Sequence, residues 1–316
     1  MKRENESGTP VGIAKAIISN VERVLVGKRQ AVEYTLAAAI AGGHVLIEDV
    51  PGTGKTMLAR ALSVSLGMDF RRVQFTADLM PSDIVGGPVY NPKDGTFALR
   101  MGPVFANVVL ADEINRANPR AQSALLECME EGQVTLDGQT VKLPSPFIVL
   151  ATQNPIDMAG TYPLPEAQLD RFLIRLELGF PELGVESALI DAQQFSHPVN
   201  EIASACTPEQ FMILVDAARN VSLTPEVATF ITAIVQATRR CDQVRHGASP
   251  RGTLGIARMA RALSCIRGLS YVDPSIVREV AVPVLAHRLV LQPQAAARRE
   301  RASVIRDILA AQATPR

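Results

Sequence analysis

Apolar positions fall at helical spacing from the first ordered-looking stretch of the chain. Val11, Ala14, Ile17, Ile18, Val21, Val24 and Leu25 share one face of a helix. Thr9-Pro10 in front of them reads as a cap followed by a first-turn proline. The tripeptide VGK at 26–28 breaks this helix, and a second apolar helix ends at Gly42-Gly43. The pattern then changes. Short apolar runs of strand length occupy 44–48, 70–75, 107–111, 147–151 and 172–178, with helical segments and loops between them. That alternation predicts an α/β fold with a mainly parallel sheet and helices on both faces. VTLDGQTVKL, 134–143, alternates around Asp137-Gly138 and predicts a hairpin. Beyond GFPEL at 179–183 the pattern is helical, and several helices open with a capping residue and proline: Thr207-Pro208, Thr224-Pro225 and Asp273-Pro274. The expected organisation is an α/β core over 1–180, a linker over 181–205 and an all-helical domain over 206–316.

A chain of 316 residues fits one large domain plus a smaller one. At that length roughly 75% of the unfolded surface is buried, so no disulfide or metal is needed for stability. Lys+Arg and Asp+Glu both number 32, and no net field draws the chain to nucleic acid or an anionic membrane. Cys128, Cys206, Cys241 and Cys265 form no CxxC pair and read as reduced, mostly buried thiols of a cytoplasmic protein. Four scattered histidines argue against a zinc site. MKRENESGTP lacks the apolar centre of a signal peptide, and no run approaches 18 apolar residues, so no membrane span is expected.

The chemistry concentrates at strand ends. EDVPGTGKT, 48–56, joins an apolar strand to a helix, the setting in which backbone N–H groups cradle a phosphate at the positive end of the helix. Gly52 and Gly54 permit close backbone approach. Lys55 is placed to reach the β and γ phosphates, and Thr56 to ligate Mg²⁺ through its hydroxyl. Pro51, Thr53 and Met57 complete the expected nucleotide-contacting stretch. The usual pattern opens on glycine where this chain has Asp49, so the first turn is expected to lack its easiest residue. VVLADEIN, 108–115, ends a second strand in Asp112 and Glu113. With a phosphate loop upstream, Asp112 suits Mg²⁺ and Glu113 suits the attacking water. FIVLATQNP, 147–155, ends a third strand at Asn154, within reach of that water or the γ-phosphate.

With LIEDVPGTGKT, TADLMPSDIVGG, GPVFANVVLADEINRANPRAQSALLECMEEGQVTLDG, VLATQNP, YPLPEAQLDRFL and SPRGTLGIARMARAL in order through residues 46 to 263, the chain closely resembles the MoxR family of AAA+ ATPases. The resemblance implies an AAA+ P-loop core of five parallel strands in the order 5-1-4-3-2, with a C-terminal helical lid. It implies that Lys55 and Thr56 are Walker A and that Asp112 and Glu113 are Walker B. Asn154 resembles sensor 1. Arg251 resembles sensor 2, reaching from the lid to the γ-phosphate of its own subunit. Arg171 resembles the arginine finger that enters the neighbour's site, with Arg175 as runner-up. Asp49 matches a familiar variant of the loop in such proteins. Val26, Gly27 and Lys28 sit where the adenine pocket is lined. The stretch 79–104 resembles the insertion in the second core helix, and 133–143 the hairpin before sensor 1; both face the pore in related rings.

The resemblance further implies ATP and Mg²⁺ as cofactors and a homo-oligomer, a hexameric ring. It implies chaperone-like remodelling, assembly or metal-loading of a client, with a von Willebrand factor A domain protein as partner. The competing reading is a nucleic-acid motor or transcription activator. Zero net charge, no appended DNA-binding module, no Trp and only 4% aromatics weigh against it. A non-hydrolysing scaffold is disfavoured by the presence of Lys55, Asp112, Glu113, Asn154 and Arg171 together.

Overall fold

The strand-length runs assemble into one parallel sheet. The computed structural model describes residues 8–93, 95–155, 160–181, 184, 186 and 198–315. The sheet strands are β1 (Val45–Glu48), β2 (Phe70–Gln74), β5 (Val108–Asp112), β8 (Ile148–Gln153) and β9 (Ile174–Leu176), hydrogen-bonded in the order β2-β5-β8-β1-β9. Counted along the sheet strands alone this is 5-1-4-3-2, as the family resemblance implies. Helices α1 (Pro10–Glu22), α2 (Arg29–Ile40), α3 (Lys55–Ser65) and α5 (Pro119–Glu131) accompany it. Successive strand residues enter opposite cores, because side chains alternate across a pleated strand. Val45, Ile47, Val108, Leu110, Ile148 and Leu150 join α1–α3 on one face. Leu46, Val109, Ala111, Val149 and Ala151 join α5 on the other.

Two hairpins stand off this sheet. α4 (Pro81–Val85) leads into antiparallel β3 (Gly86–Asn91) and β4 (Thr96–Met101), inside the predicted 79–104 insertion. β6 (Gln133–Leu136) and β7 (Gln139–Lys142) form the predicted second hairpin. Its turn has φ of 49° at Asp137 and 77° at Gly138, the doubly left-handed turn that suits right-twisted strands.

The short α6 (Glu166–Leu169) precedes β9, and the C-terminal region comprises α7 (Pro208–Arg219), α8 (Pro225–Arg240), α9 (Pro250–Ile266), α10 (Pro274–Leu285), α11 (Pro293–Ala296) and α12 (Arg301–Ala311). Thr207, Thr224 and Asp273 each accept a backbone N–H from the first turn of the helix that follows, and Ser249 does the same for α9. The sequence pattern gives helices only, whereas the structure adds a short antiparallel pair, β10 (Val244–His246) with β11 (Val290–Leu291). Strands of two or three residues are too short to leave an alternating signature. Most of the predicted linker, 181–205, lies outside the described residues. One apolar core nevertheless runs from α1–α3 into the C-terminal helices. The buried Arg288 guanidinium binds Asp170 Oδ1 at 2.7 Å and the Phe172 carbonyl at 2.6 Å, fixing that layer to the start of β9.

Candidate active site

Parallel strands deliver their C-terminal ends to one edge of the sheet, and the predicted phosphate-binding residues meet there. The loop 49–54 joins β1 to α3, whose first two residues are Lys55 and Thr56. Gly52 and Gly54 have φ of 86° and 94°, which a side chain would strain, and these positions do require glycine. A cavity of about 340 Å³ is lined by Pro51, Gly52, Gly54, Lys55, Thr56 and Met57 from this loop and helix. Asp112, Glu113, Thr152 and Asn154 line its other side from the ends of β5 and β8. Thr53 is buried, its hydroxyl turned to the Val50 carbonyl, and its side chain is not part of that lining.

Lys55 Nζ donates to the carbonyls of Asp49 and Val50 at 2.8 and 2.6 Å. Burial lowers its pKa, while Asp49, Asp112 and Glu113 pull the other way. An ammonium held by two neutral carbonyls beside the start of a helix is a fitting partner for a polyphosphate.

The loop accommodates Asp49 where the usual pattern has glycine. Among described non-glycine residues positive φ occurs only at Glu113 and Asp137, so position 49 needs no glycine. Its carboxylate is instead saturated by backbone donors. Oδ1 accepts Val50 N–H at 2.8 Å, and Oδ2 accepts Leu178 and Gly179 N–H at 2.8 and 2.7 Å.

Three polar residues not singled out in the sequence complete the catalytic edge. Thr152 Oγ1 donates to Asp112 Oδ1 at 2.6 Å and accepts Glu113 N–H at 2.8 Å. Arg72 binds Asp112 Oδ2 at 2.6 Å, and Gln74 donates to Glu113 Oε2 at 3.0 Å. Arg72 and Gln74 are on β2, which pairs with β5 in the sheet. The signal for Thr152 was present: it lies two residues before Asn154, on the same side of a strand. Arg72 and Gln74 carried no motif.

Val26 and Gly27 do not line this cavity. They lie beside it: Leu25 Cδ1 is 3.6 Å from where a Cβ on Gly54 would stand. Val26 is exposed and Gly27 has φ of 74°.

Arg171 and Arg251 lie at the other end of the strands. Leu173 N–H, two residues after Arg171, donates to His44 at the start of β1. β1 itself separates that point from the phosphate loop by roughly 13 Å of strand rise. Arg171 Nη2 pairs with Glu130 Oε2 at 3.1 Å, and Arg251 Nη2 binds Glu130 Oε1. The expectation that Arg251 reaches the γ-phosphate of its own subunit is therefore corrected. The cap of α9, Ser249, is anchored to Asp170 at 2.9 Å, and this sets Arg251 beside Arg171 instead of over its own loop. Arg175 is committed elsewhere, to Glu48 at 2.7 Å and Glu177 at 2.8 Å.

A 5-1-4-3-2 parallel sheet, a glycine loop capped by Lys-Thr, and an acidic pair on the second strand over define a P-loop ATPase of the AAA+ class. Comparison with known proteins agrees. Residues 44–174 match the model of the ATPase family associated with various cellular activities (AAA), and 236–308 match an AAA lid domain. The chain is 42% identical to Chaperone MoxR1 of Mycobacterium tuberculosis, over 87% of this chain and 74% of that one. It is 46% identical to the uncharacterized protein YeaC of Bacillus subtilis, over 94% and 93%. A crystal structure of a proposed ATPase from Cytophaga hutchinsonii superposes with a TM-score of 0.90 at 35% identity, covering 99% and 98%. The chain belongs to the MoxR family of AAA+ ATPases and is an ATP-hydrolysing enzyme.

Proposed function

We propose that ATP is hydrolysed at a site shared between neighbouring subunits of a hexameric ring, and that hydrolysis drives remodelling of a client protein. The observation that carries this reading is the placement of Arg171 and Arg251. Both lie on the edge of the sheet remote from the chain's own phosphate loop, joined through Glu130. Two arginines there suit the triphosphate of an adjacent subunit, and an arginine supplied in this way contributes about 10³–10⁵ in rate. Arg175, held by two carboxylates, is the weaker candidate.

Within one subunit, Lys55 would exchange its two loop carbonyls for phosphate oxygens. Thr56 and Asp112 would hold Mg²⁺, which neutralises phosphate charge when bound. Among the described residues no group of three or more His, Cys, Asp or Glu is placed to hold a metal ion; a hydroxyl, one carboxylate and phosphate oxygens are the kind of ligand set Mg²⁺ takes. Glu113 would take a proton from the attacking water, and Asn154 would orient that water. Asp112 Oδ2 accepts twice from Arg72, whereas Oδ1 accepts once, from Thr152, and keeps a lone pair for the ion.

By analogy with the relative named a chaperone, the product of each cycle is a rearranged protein partner. A von Willebrand factor A domain protein is the proposed companion, and assembly, maturation or metal-loading of its client the proposed outcome. The proposed organisation is a core over 1–180, a linker over 181–205 and a lid over 206–316, with the hairpins at 86–101 and 133–142 the elements offered to the client. Val89, Tyr90 and Phe97 on the first hairpin are exposed, with the Tyr90 and Phe97 ring centroids 5.3 Å apart.

The test is the mass of Glu113→Gln protein by light scattering with and without ATP-Mg²⁺. A shift to about six subunits on adding ATP supports the shared site. A monomer under both conditions, with ATP bound, contradicts it.

A further inference from the structure

We propose that Asp49 is a positioning residue for nucleotide binding, closing a ring of contacts that holds the phosphate loop against the chain's exit from β9. The proposal rests on the nucleotide-site reading above and assigns a role to the one loop residue that departs from the usual pattern.

The ring can be followed contact by contact. Asp49 Oδ2 takes the N–H groups of Leu178 and Gly179, the residues that follow β9. The next carbonyl, that of Phe180, accepts from Lys28 Nζ at 2.7 Å. Lys28 belongs to the 26–28 break, and Leu25 just before it has Cδ1 3.6 Å from where a Cβ on Gly54 would stand. Gly54 is the left-handed residue immediately before Lys55. The first turn of the phosphate loop is thus tied directly to segment 178–180, and its last residue lies beside the 25–28 turn that Lys28 holds to the same segment.

The chemistry argues for more than a tolerated substitution. Asp49 is 8% exposed and spends all three of its observed acceptances on backbone donors. Such bonds to a carboxylate are about twice as strong as neutral ones. Glycine at this position would supply none of them, and the backbone there asks for no glycine. The Asp49 carboxylate is not part of the cavity lining, while its backbone carbonyl holds Lys55 Nζ. Its effect belongs in binding, where loop carbonyl and N–H positions must match the phosphates before chemistry starts.

The test compares wild type, Asp49→Gly, Asp49→Asn, Lys28→Met and the Lys28→Met/Asp49→Gly pair, using titration with a fluorescent N-methylanthraniloyl ADP and steady-state ATP hydrolysis. Thermal melting without nucleotide checks that each variant is folded. Asp49→Gly should bind ADP roughly tenfold or more weakly and raise KM for ATP by a similar factor, with kcat largely kept. Asp49→Asn should fall between, because its Oδ1 can still accept from Leu178 and Gly179 while its amide faces the Val50 N–H. The paired variant should lose less than the sum of its two single changes, since both act through segment 178–180. Wild-type ADP affinity in folded Asp49→Gly overturns the proposal. If Asp49→Gly does not fold, wild-type affinity in Asp49→Asn overturns it. Failure of the wild-type protein to bind ADP overturns the nucleotide-site reading itself, a separate result.

Discussion

Glu113 sits at φ 57° and ψ 50°, a left-handed conformation that costs a residue with a Cβ on the order of 1 kcal/mol. The bond from its N–H to Thr152 holds it there, and the same hydroxyl reaches Asp112. One threonine therefore orients both acids. Thr152→Val, which keeps the shape and removes the hydroxyl, should lower kcat roughly tenfold while leaving ADP affinity close to wild type. A coupled-enzyme assay beside an ADP titration checks this. Glu113→Gln should retain ATP and lose turnover by about 10² or more. At this scale the sequence exposed the residues that carry a motif and hid those that support them. Lys55 and Thr56 open α3 behind a glycine loop, and Asp112, Glu113 and Asn154 stand at strand ends marked by apolar runs. Arg72 and Gln74 sit on β2, and only strand pairing, a long-range event, brings them to Asp112 and Glu113.

Among elements, the helix starts were the most legible, because proline and a hydroxyl or carboxylate cap act locally. Thr224 accepts Val227 N–H and leads α8. Thr224→Ala should cost about 1 kcal/mol in urea unfolding. The β10–β11 pair was invisible, since its partners are some 45 residues apart and too short to alternate. Strand ends are also pinned by His44. Its Nδ1 accepts Val149 N–H at 3.1 Å, so its Nε2 donates to the Met129 carbonyl at 3.0 Å and the ring is neutral. Burial is the main cause that lowers its pKa to about 4. His287 is shifted in the same direction, again chiefly by burial. With folded values below the unfolded 6.5, the unfolded chain binds these protons first. Stability should therefore be level above pH 6.5 and fall as pH drops toward 4. His44 alone accounts for about 1.4 kcal/mol per pH unit over that window. Urea titrations at pH 7, 6 and 5 should show the slope, and His44→Gln should reduce it.

At the scale of the whole molecule, the continuous core joins lid to sheet, and this joining decides where the arginines lie. Sequence motifs identified Arg171 and Arg251 but could not place them. Their position depends on the Ser249–Asp170 and Arg288–Asp170 contacts between regions about 80 and 118 residues apart. The result is two chemically distinct edges of one protomer: a phosphate cradle at one end of the strands, and an arginine pair on Glu130 at the other. Within one chain the sheet keeps these two edges apart, so on the proposed reading, in which the arginines serve a triphosphate, a complete site is built from two chains. Mixing Arg171→Ala protein with Glu113→Gln protein tests this most directly. Each is expected to be nearly inactive alone, one lacking the incoming arginine and the other the base. In a mixed ring, the intact loop and Glu113 of the first meet Arg171 of the second, and ATP turnover should reappear in proportion to mixed interfaces. Co-assembly of the two proteins, verified by light scattering, with no recovery of turnover would contradict a site shared through Arg171.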